Sequence, residues 1–295
     1  MTSPRFTAAE ATSVAFWREL CPALTIEGGG EIPPARLPAL ATLREAIRLE
    51  GYINAPDVLP LPAIARLRGA IETLHGRGIP PAFAFVYDEF WQIFRSLAPY
   101  LAEVLGTDYR ALPAFWAWYV EPTDAASGWV PHRDRPTARI GPDNIPESLS
   151  VWLPLTEATP LNGCMYVVPA PWDDHFKHRE APTQRLTTLE GAQLQNIRAL
   201  PAAPGALLSW NQALFHWGGR ASKLGTGPRC SISVEFQRGD IAPLASPLIH
   251  PEALLPFRAR LGLVGHLFRA YTPFHRVTTP EIVALAAALE WKFRP

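Results

Sequence analysis

Short β-like segments separated by turn signals fill the middle of the chain, and they constrain its fold more than any other feature. Each segment is rich in aromatic and β-branched residues, or alternates apolar with small polar residues. Asn162-Gly163 and Pro204-Gly205 are typical turn sequences between such segments. The pattern predicts a sandwich or barrel of short strands. The segments are 115–120, 128–132, 149–155, 164–169, 206–210, 214–217 and 230–236.

Helical periodicity flanks this β region on both sides. The segment 61–74, for example, places Ile64, Leu67, Ile71 and Leu74 on one stripe, as an amphipathic helix requires. Further helices are predicted at 7–20, 40–50, 96–105, 251–270 and 280–291, and a short strand at 51–53.

The order of these elements is helices first, strands in the middle and helices last. Segregation of helices from antiparallel strands predicts an α+β fold in one domain spanning residues 1–295. The mainly helical part, 1–113, is expected to buttress a β core at 114–240, and 241–295 to supply the closing helices. The 32 prolines are scattered rather than clustered, which favours a loop-rich β core over a helical bundle.

Composition and charge exclude several kinds of protein. The hydrophobic content of 48% and charged content of 18% suit a folded chain with a sizeable core. A formal net charge of zero argues against nucleic acid or an anionic membrane as a partner. No signal peptide or membrane span is evident, and the cysteines Cys21, Cys164 and Cys230 form no disulfide or metal pattern. A cytoplasmic location and a small-molecule substrate are expected.

The motif His132-Arg133-Asp134, taken together with His216, points to a metal site. On an extended strand a spacing of two puts the imidazole of His132 and the carboxylate of Asp134 on one face. Two histidines and one carboxylate around an iron leave open positions opposite, as oxygen-activating non-haem Fe(II) enzymes require. The alternatives are a solvated loop histidine at 132 and a packed histidine at 216, between Phe215 and Trp217.

The chain resembles the phytanoyl-CoA dioxygenase family, within the wider Fe(II)/2-oxoglutarate-dependent oxygenases. The resemblance lies in the order and spacing of several pieces, which together cover roughly residues 51–237. These pieces are Gly51-Tyr52 with the helix after it, Val130-Pro131-His132-Arg133-Asp134, the segment 150–155 continuing through 162–169, and Pro204-Gly205 through His216 to Arg229.

This resemblance implies a double-stranded β-helix, which is a jelly-roll of cupin type with flanking helices. It places His132 and Asp134 at the end of the second core strand and His216 on the seventh, where all three would hold Fe(II). The pattern Arg229-Cys230-Ser231 matches the Arg-x-Ser with which many of these oxygenases bind 2-oxoglutarate. A guanidinium can hold the distal carboxylate through two parallel hydrogen bonds, and Ser231 can donate a third.

Arg220 competes with Arg229 for the role of binding 2-oxoglutarate. It follows His216 by four residues, but Gly218-Gly219 predicts a loop there, so Arg229 is the preferred residue.

The expected function is therefore a non-haem oxygenase that uses Fe(II), 2-oxoglutarate and O2. It would hydroxylate an unactivated C–H bond of a small organic substrate and release succinate and CO2. Related halogenases replace the carboxylate of the metal site with a small residue, so Asp134 favours hydroxylation or desaturation. The alternatives are a jelly-roll metal enzyme that does not use 2-oxoglutarate and a non-catalytic binding module.

Several other residues have two readings in the sequence. Arg133 and Arg135 could attract an anionic substrate or pair with surface acids. The aromatic residues of 83–94 could line a substrate pocket, although a core lining is favoured. His175 and His178 lie close together in the sequence and could be taken for metal ligands, but a solvated loop is the preferred interpretation.

Overall fold

The computed structural model describes residues 6–124, 127–135, 145–173, 176, 191–271 and 279–292. His175 and His178 lie outside these residues. The helices are α1 Ala8–Ala11, α2 Val14–Leu20, α3 Leu40–Glu50, α4 Leu61–Gly76, α5 Glu89–Arg95, α6 Ala98–Leu105, α7 Gly191–Asn196, α8 Phe257–Ala270 and α9 Pro280–Lys292, with 3-10 helices at Pro81–Val86 and Ala170–Trp172. The strands are β1 Tyr52–Ala55, β2 Arg110–Val120, β3 Ser148–Pro154, β4 Met165–Val167, β5 Arg198–Leu200, β6 Leu207–Asn211, β7 His216–Gly218 and β8 Arg229–Gln237.

Two antiparallel sheets form the β core. The larger sheet has the strand order β1-β6-β3-β8-β2, and the smaller has the order β5-β4-β7. Neighbours in the larger sheet come from distant parts of the chain, as in a jelly-roll rather than a simple meander. The predicted α+β fold with a jelly-roll core is confirmed.

The two faces of the larger sheet have different surroundings, and strand β8 shows why. Cys230, Ile232 and Val234 point to one face and belong to the main apolar core, which also contains helices α4 and α8. The alternate residues Ser233 and Glu235 line a cavity on the other face. Because side chains alternate along a strand, one face of this sheet builds the core and the other builds the site.

Three predicted elements differ from the structure. The predicted helix 7–20 is divided into α1 and α2, because Ser13 adopts an extended conformation and its hydroxyl caps α2. The predicted helix 251–270 begins only at Phe257, because Pro256 is extended and disfavours helix in the residue before it.

The third difference concerns the predicted strand 128–132, which is wrong. This segment pairs with β7 only through an isolated bridge at His132 and His216 and through a hydrogen bond from Trp129 N to Gly218 O of 3.0 Å. Pro131 lies between these two contacts and has no N–H to donate, so a continuous ladder cannot form.

The aromatic residues near position 85 form core rather than pocket. Phe83, Phe85, Tyr87 and Phe90 are fully buried in the apolar cluster that joins the helices to the larger sheet. Phe85 packs against Phe115 of β2 with ring centroids 4.5 Å apart. These rings therefore fix the helices against the outer face of the sheet, opposite to the cavity.

Within the described ranges, none of the helices has the length and apolar character needed to cross a membrane. The cysteines Cys21, Cys164 and Cys230 are all buried as free thiols.

Candidate metal centre

Backbone pairing brings His132 and His216 together although they are far apart in the sequence. His132 N donates to His216 O and His216 N donates to His132 O, both at 3.0 Å. The two residues therefore face each other as a bridged pair, and their ring centroids are 4.5 Å apart. Asp134 follows His132 by two residues, so its carboxylate lies on the same side of the chain.

The donor atoms of these three residues converge. Oδ1 of Asp134 lies 3.2 Å from Nε2 of His216 and 3.6 Å from Nε2 of His132. All three donor atoms lie within 4.8 Å of one another, which is close enough to share one ion. The structure thus brings together all three residues that the sequence predicted as metal ligands, while their role as ligands stays a prediction.

Backbone carbonyls fix the tautomers of both imidazoles. Nδ1 of His132 lies 2.9 Å from Val130 O, and Nδ1 of His216 lies 3.1 Å from Leu214 O. A carbonyl oxygen can only accept, so each Nδ1 must carry the hydrogen. In a neutral imidazole each Nε2 is then the nitrogen that can bind an ion, which is the arrangement that metal-binding histidines use, and in a protonated imidazole it donates to Asp134.

One oxygen of Asp134 is held by two donors from the larger sheet. Oδ2 accepts hydrogen bonds from Ser150 Oγ at 2.6 Å and from Trp210 Nε1 at 3.0 Å. Gln212 Nε2 donates in turn to Ser150 Oγ at 3.2 Å. These bonds occupy Oδ2 and leave Oδ1 facing the histidines.

The environment of Asp134 keeps its carboxyl group ionised. Burial raises the pKa of Asp134, but the charge of His216 and hydrogen bonds from His132 and His216 outweigh it. The pKa therefore lies well below its usual range, and the group presents a negative charge at neutral pH.

Arg133 lies between two of the predicted ligands but points away from them. It is buried and forms a bidentate ion pair with Asp173, in which Nη1 lies 2.7 Å from Oδ2 and Nη2 lies 2.9 Å from Oδ1. Its guanidinium carbon also lies 3.7 Å from the ring centroid of Phe215, the neighbour of His216. Arg133 thus ties together the two chain segments that carry the predicted ligands, and it pairs with a buried acid instead of a surface one.

Arg135 points into the cavity and pairs with Glu235. Its Nη2 lies 2.8 Å from Oε2 of Glu235, and its Nη1 donates to Leu244 O at 3.2 Å. Burial raises the pKa of Glu235 above its usual value despite the adjacent Arg135 guanidinium. The sequence did not predict this pair, because its members are 100 residues apart.

Arg229 lines the same cavity as the three predicted ligands, whereas Arg220 is exposed. Arg229 is 5% exposed and its guanidinium carbon lies 5.7 Å from the ring centroid of Trp152. Its Nη1 donates to Ser231 Oγ at 2.6 Å, so the hydroxyl of Ser231 supports the guanidinium. The cavity has a volume of about 510 Å³, a size typical of sites for small molecules.

Comparison with known families matches residues 96–223 to the family described as phytanoyl-CoA dioxygenase (PhyH). The matched segment contains His132, Asp134 and His216, and it ends before Arg229. Comparison with curated proteins finds no match.

Comparison with solved structures finds the same fold at low sequence identity in many proteins, among them the following three. The epimerase SnoN, in a complex with Fe3+, alpha ketoglutarate and nogalamycin RO, is 18% identical with a TM-score of 0.54 over 68% of this chain and 83% of its own. AviO1 from Streptomyces viridochromogenes Tue57 is 21% identical with a TM-score of 0.52 over 70% of this chain and 97% of its own. The non-haem monooxygenase ThoJ is 15% identical with a TM-score of 0.54 over 85% of this chain and 94% of its own.

The family match and the shared fold agree with what the sequence predicted. Residues 96–223, which include the His132, Asp134 and His216 cluster, thus carry the resemblance of this chain to the phytanoyl-CoA dioxygenase family.

Proposed function

We propose that this protein is a non-haem Fe(II)- and 2-oxoglutarate-dependent oxygenase that hydroxylates an unactivated C–H bond of a small organic substrate, releasing succinate and CO2. The observation that carries the proposal is the convergence of His132, Asp134 and His216 in a cavity that Arg229 also lines. A cytoplasmic location belongs to the same proposal and is supported by the free cysteines.

The donor set suits ferrous iron. It contains two imidazole nitrogens and one carboxylate oxygen, and no thiolate joins it among the described residues. Such a set favours an open Fe(II) site over a closed structural zinc site. The epimerase SnoN, which has the same fold, binds Fe3+ and alpha ketoglutarate, which supports the same groups here.

Each of the three predicted ligands would bind the ion through one named atom. His132 and His216 would bind the ion through Nε2 and Asp134 through Oδ1. Bound there with 2-oxoglutarate and O2, the iron would supply the oxidising chemistry. Three protein ligands would leave further positions of the ion open, and the co-substrate and O2 could reach these from the cavity.

Arg229 would bind the distal carboxylate of 2-oxoglutarate. A buried guanidinium favours a carboxylate because two parallel N–H···O bonds match its planar geometry. Ser231 accepts a hydrogen bond from Nη1 of Arg229 and would thereby orient the guanidinium. Arg220 is exposed and would take no part.

Anaerobic binding experiments test the metal site directly. The wild-type chain should bind one Fe(II) ion and should gain a weak visible absorption band when 2-oxoglutarate is added. His132→Ala, Asp134→Ala and His216→Ala should each abolish iron binding, whereas His250→Ala, which changes an exposed histidine, should not. Iron binding that survives the substitutions in the cluster would overturn the proposal.

Turnover experiments test the reaction. Succinate should form only when Fe(II), 2-oxoglutarate and O2 are all present, and the product should contain one additional oxygen atom. Iron binding without any response to 2-oxoglutarate would instead indicate a jelly-roll metal enzyme of another kind. A folded wild-type chain that binds no iron would indicate a binding module.

A further inference from the structure

We propose that the cavity selects a neutral, ring-containing substrate, which stacks on a continuous row of four aromatic side chains. This row, called the aromatic wall below, consists of Trp116, Trp118, Trp129 and Tyr271, all of which line the cavity. The inference rests on the proposed function for its chemistry, because it names the class of molecule that would meet the metal centre.

The aromatic wall is continuous because each ring contacts the next. Trp116 and Trp118 stack with ring centroids 5.2 Å apart and an angle of 3° between their planes. Trp129 follows Trp118 at 5.9 Å, and Tyr271 meets Trp116 edge-on at 5.0 Å. Trp116 and Trp118 alternate with the core residue Ala117 along β2, so strand periodicity turns both indoles toward the cavity.

These four rings are more exposed than the aromatic residues that build the core, and two of them, Trp116 and Tyr271, also pack against it. Phe83, Phe85 and Phe90 are fully buried, whereas all four members of the aromatic wall are half-buried. Large indole faces on the surface of a cavity favour ligands with flat or apolar faces, which they can contact at little cost in conformational entropy.

The charges that line the cavity argue against an ionic substrate. Arg229 is assigned to 2-oxoglutarate, and Arg133 is neutralised by Asp173. Arg135 and Glu235 neutralise each other across 2.8 Å. An anionic substrate that accepted from Arg135 would also meet the carboxylate of Glu235, and a cationic substrate that bound Glu235 would meet the guanidinium of Arg135. Bringing a like charge against a buried charged group is strongly unfavourable.

A neutral hydroxylated substrate avoids this cost. Its hydroxyl groups can both donate to Glu235 and accept from Arg135 while the ion pair stays intact. A fused aromatic ring and the apolar face of a saccharide ring present the same chemistry to the aromatic wall, so the experiment includes one probe of each kind.

Calorimetric titration with matched probes tests the selectivity of the cavity. The aromatic probes are 2-naphthalenemethanol, 2-naphthoate and 2-naphthylmethylammonium, which share one ring system and differ in charge, and methyl β-glucoside is the saccharide probe. At least one neutral probe should bind, and the neutral naphthalene should bind about tenfold tighter than either charged analogue. Equal or tighter binding of a charged analogue, or binding of neither neutral probe, would overturn the proposal.

Variants assign the binding to the aromatic wall and the selectivity to the ion pair. Trp118→Ala should weaken binding of the neutral probe about tenfold, whereas Trp172→Ala, which changes an exposed indole outside the cavity lining, should not. Glu235→Gln should leave Arg135 with its charge unbalanced and should shift the preference toward 2-naphthoate. Unchanged binding in Trp118→Ala, or unchanged preference in Glu235→Gln, would contradict the proposal.

The titrations are made on both the metal-free protein and the anaerobic protein loaded with Fe(II) and 2-oxoglutarate. A protein that prefers the neutral probe when metal-free, but that binds neither Fe(II) nor 2-oxoglutarate, would refute the proposed oxygenase function and support the ligand class. A protein that binds Fe(II) and 2-oxoglutarate, but that does not prefer the neutral probe over its charged analogues, would refute the ligand class and leave the proposed oxygenase function unaffected.

Discussion

Ser150 Oγ donates a 2.6 Å hydrogen bond to Oδ2 of Asp134, the carboxylate oxygen that faces away from the two histidines. Ser150 lies on β3, so the larger sheet itself orients the carboxylate. Trp210 on the neighbouring strand β6 donates to the same oxygen. A carboxylate held in this way offers a single oxygen to an ion, which leaves more coordination positions for other ligands.

Substitution of Ser150 should therefore weaken metal binding without removing a metal ligand. We expect Ser150→Ala to lower the affinity for Fe(II) about 10- to 100-fold, the usual effect of removing a partner of a ligand. Competition titration against a chelator under anaerobic conditions measures the change. Ser233→Ala is the control, because Ser233 lines the same cavity from β8. Equal affinities in the two variants would show that Ser150 does not orient Asp134.

Substitution of Arg229 should affect 2-oxoglutarate much more than iron. Loss of a charge-assisted hydrogen-bonding pair from a buried site predicts a rise of about 100-fold in the Kd of 2-oxoglutarate for Arg229→Met. The absorption band of the iron-loaded protein measures this Kd, and iron stoichiometry should stay unchanged. Arg220→Met should bind 2-oxoglutarate as the wild type does. If Arg220→Met weakened this binding and Arg229→Met did not, Arg220 would be the residue that binds 2-oxoglutarate.

Two helical glycines should respond oppositely to replacement by alanine. A Cβ at Gly265 of α8 would lie 2.5 Å from Ala286 O and 2.6 Å from Glu290 N, both in the backbone of α9. We expect Gly265→Ala to lower the free energy of unfolding by about 1–3 kcal/mol, because the two helices must separate.

Gly69 of α4 provides the matched control, since nothing lies within 4 Å of the Cβ that an alanine would add. Gly69→Ala should raise the free energy of unfolding by about 0.5–1 kcal/mol, because alanine restricts the unfolded chain and favours helix. Urea titration measures both. Destabilisation of the same size in both variants would contradict the close approach of α8 and α9.

Acid should weaken the contact between α8 and α9 through Glu290. Hydrogen bonds from Arg269, and then from His266, lower the pKa of Glu290 from 4.5 to about 2. A depressed carboxyl pKa contributes stability above the unfolded value, and this contribution is lost as the pH falls from 4.5 toward 2. Solvent screens the pair, so we expect less than about 1 kcal/mol.

The measurement is the difference in free energy of unfolding between the wild type and Glu290→Gln. The difference should be present at about pH 7 and should shrink at about pH 3, where the carboxyl becomes protonated in the unfolded chain. Glu45→Gln, which breaks the exposed pair with Arg48 within α3, is the control for a simple surface charge. A difference that grows on acidification would contradict the depressed pKa.

Local patterns in the sequence were sufficient to predict much of the fold. Strand alternation in 149–155 and 230–236 predicted β3 and β8 closely, because each strand has one face against the apolar core. The spacing of His132 and Asp134 predicted that they share a side of the chain, whereas His216 was identified through the family resemblance, which expects a histidine after a strand that a Pro-Gly turn begins. The strand at 128–132 was predicted wrongly, because alternation alone does not reveal that Pro131 interrupts the pairing.

By itself, then, the sequence determined which residue types could form a metal centre and, through the spacing of His132 and Asp134, that two of them share one side of the chain. Only the tertiary structure decided which partners those residues meet. Trp210 is 76 residues from Asp134, and Glu235 is 100 residues from Arg135. The path of the segment 132–135 along the larger sheet creates these contacts, and no short-range pattern encodes them. Pairing of β2 with β8 likewise turned the aromatic side chains of β2 toward the cavity.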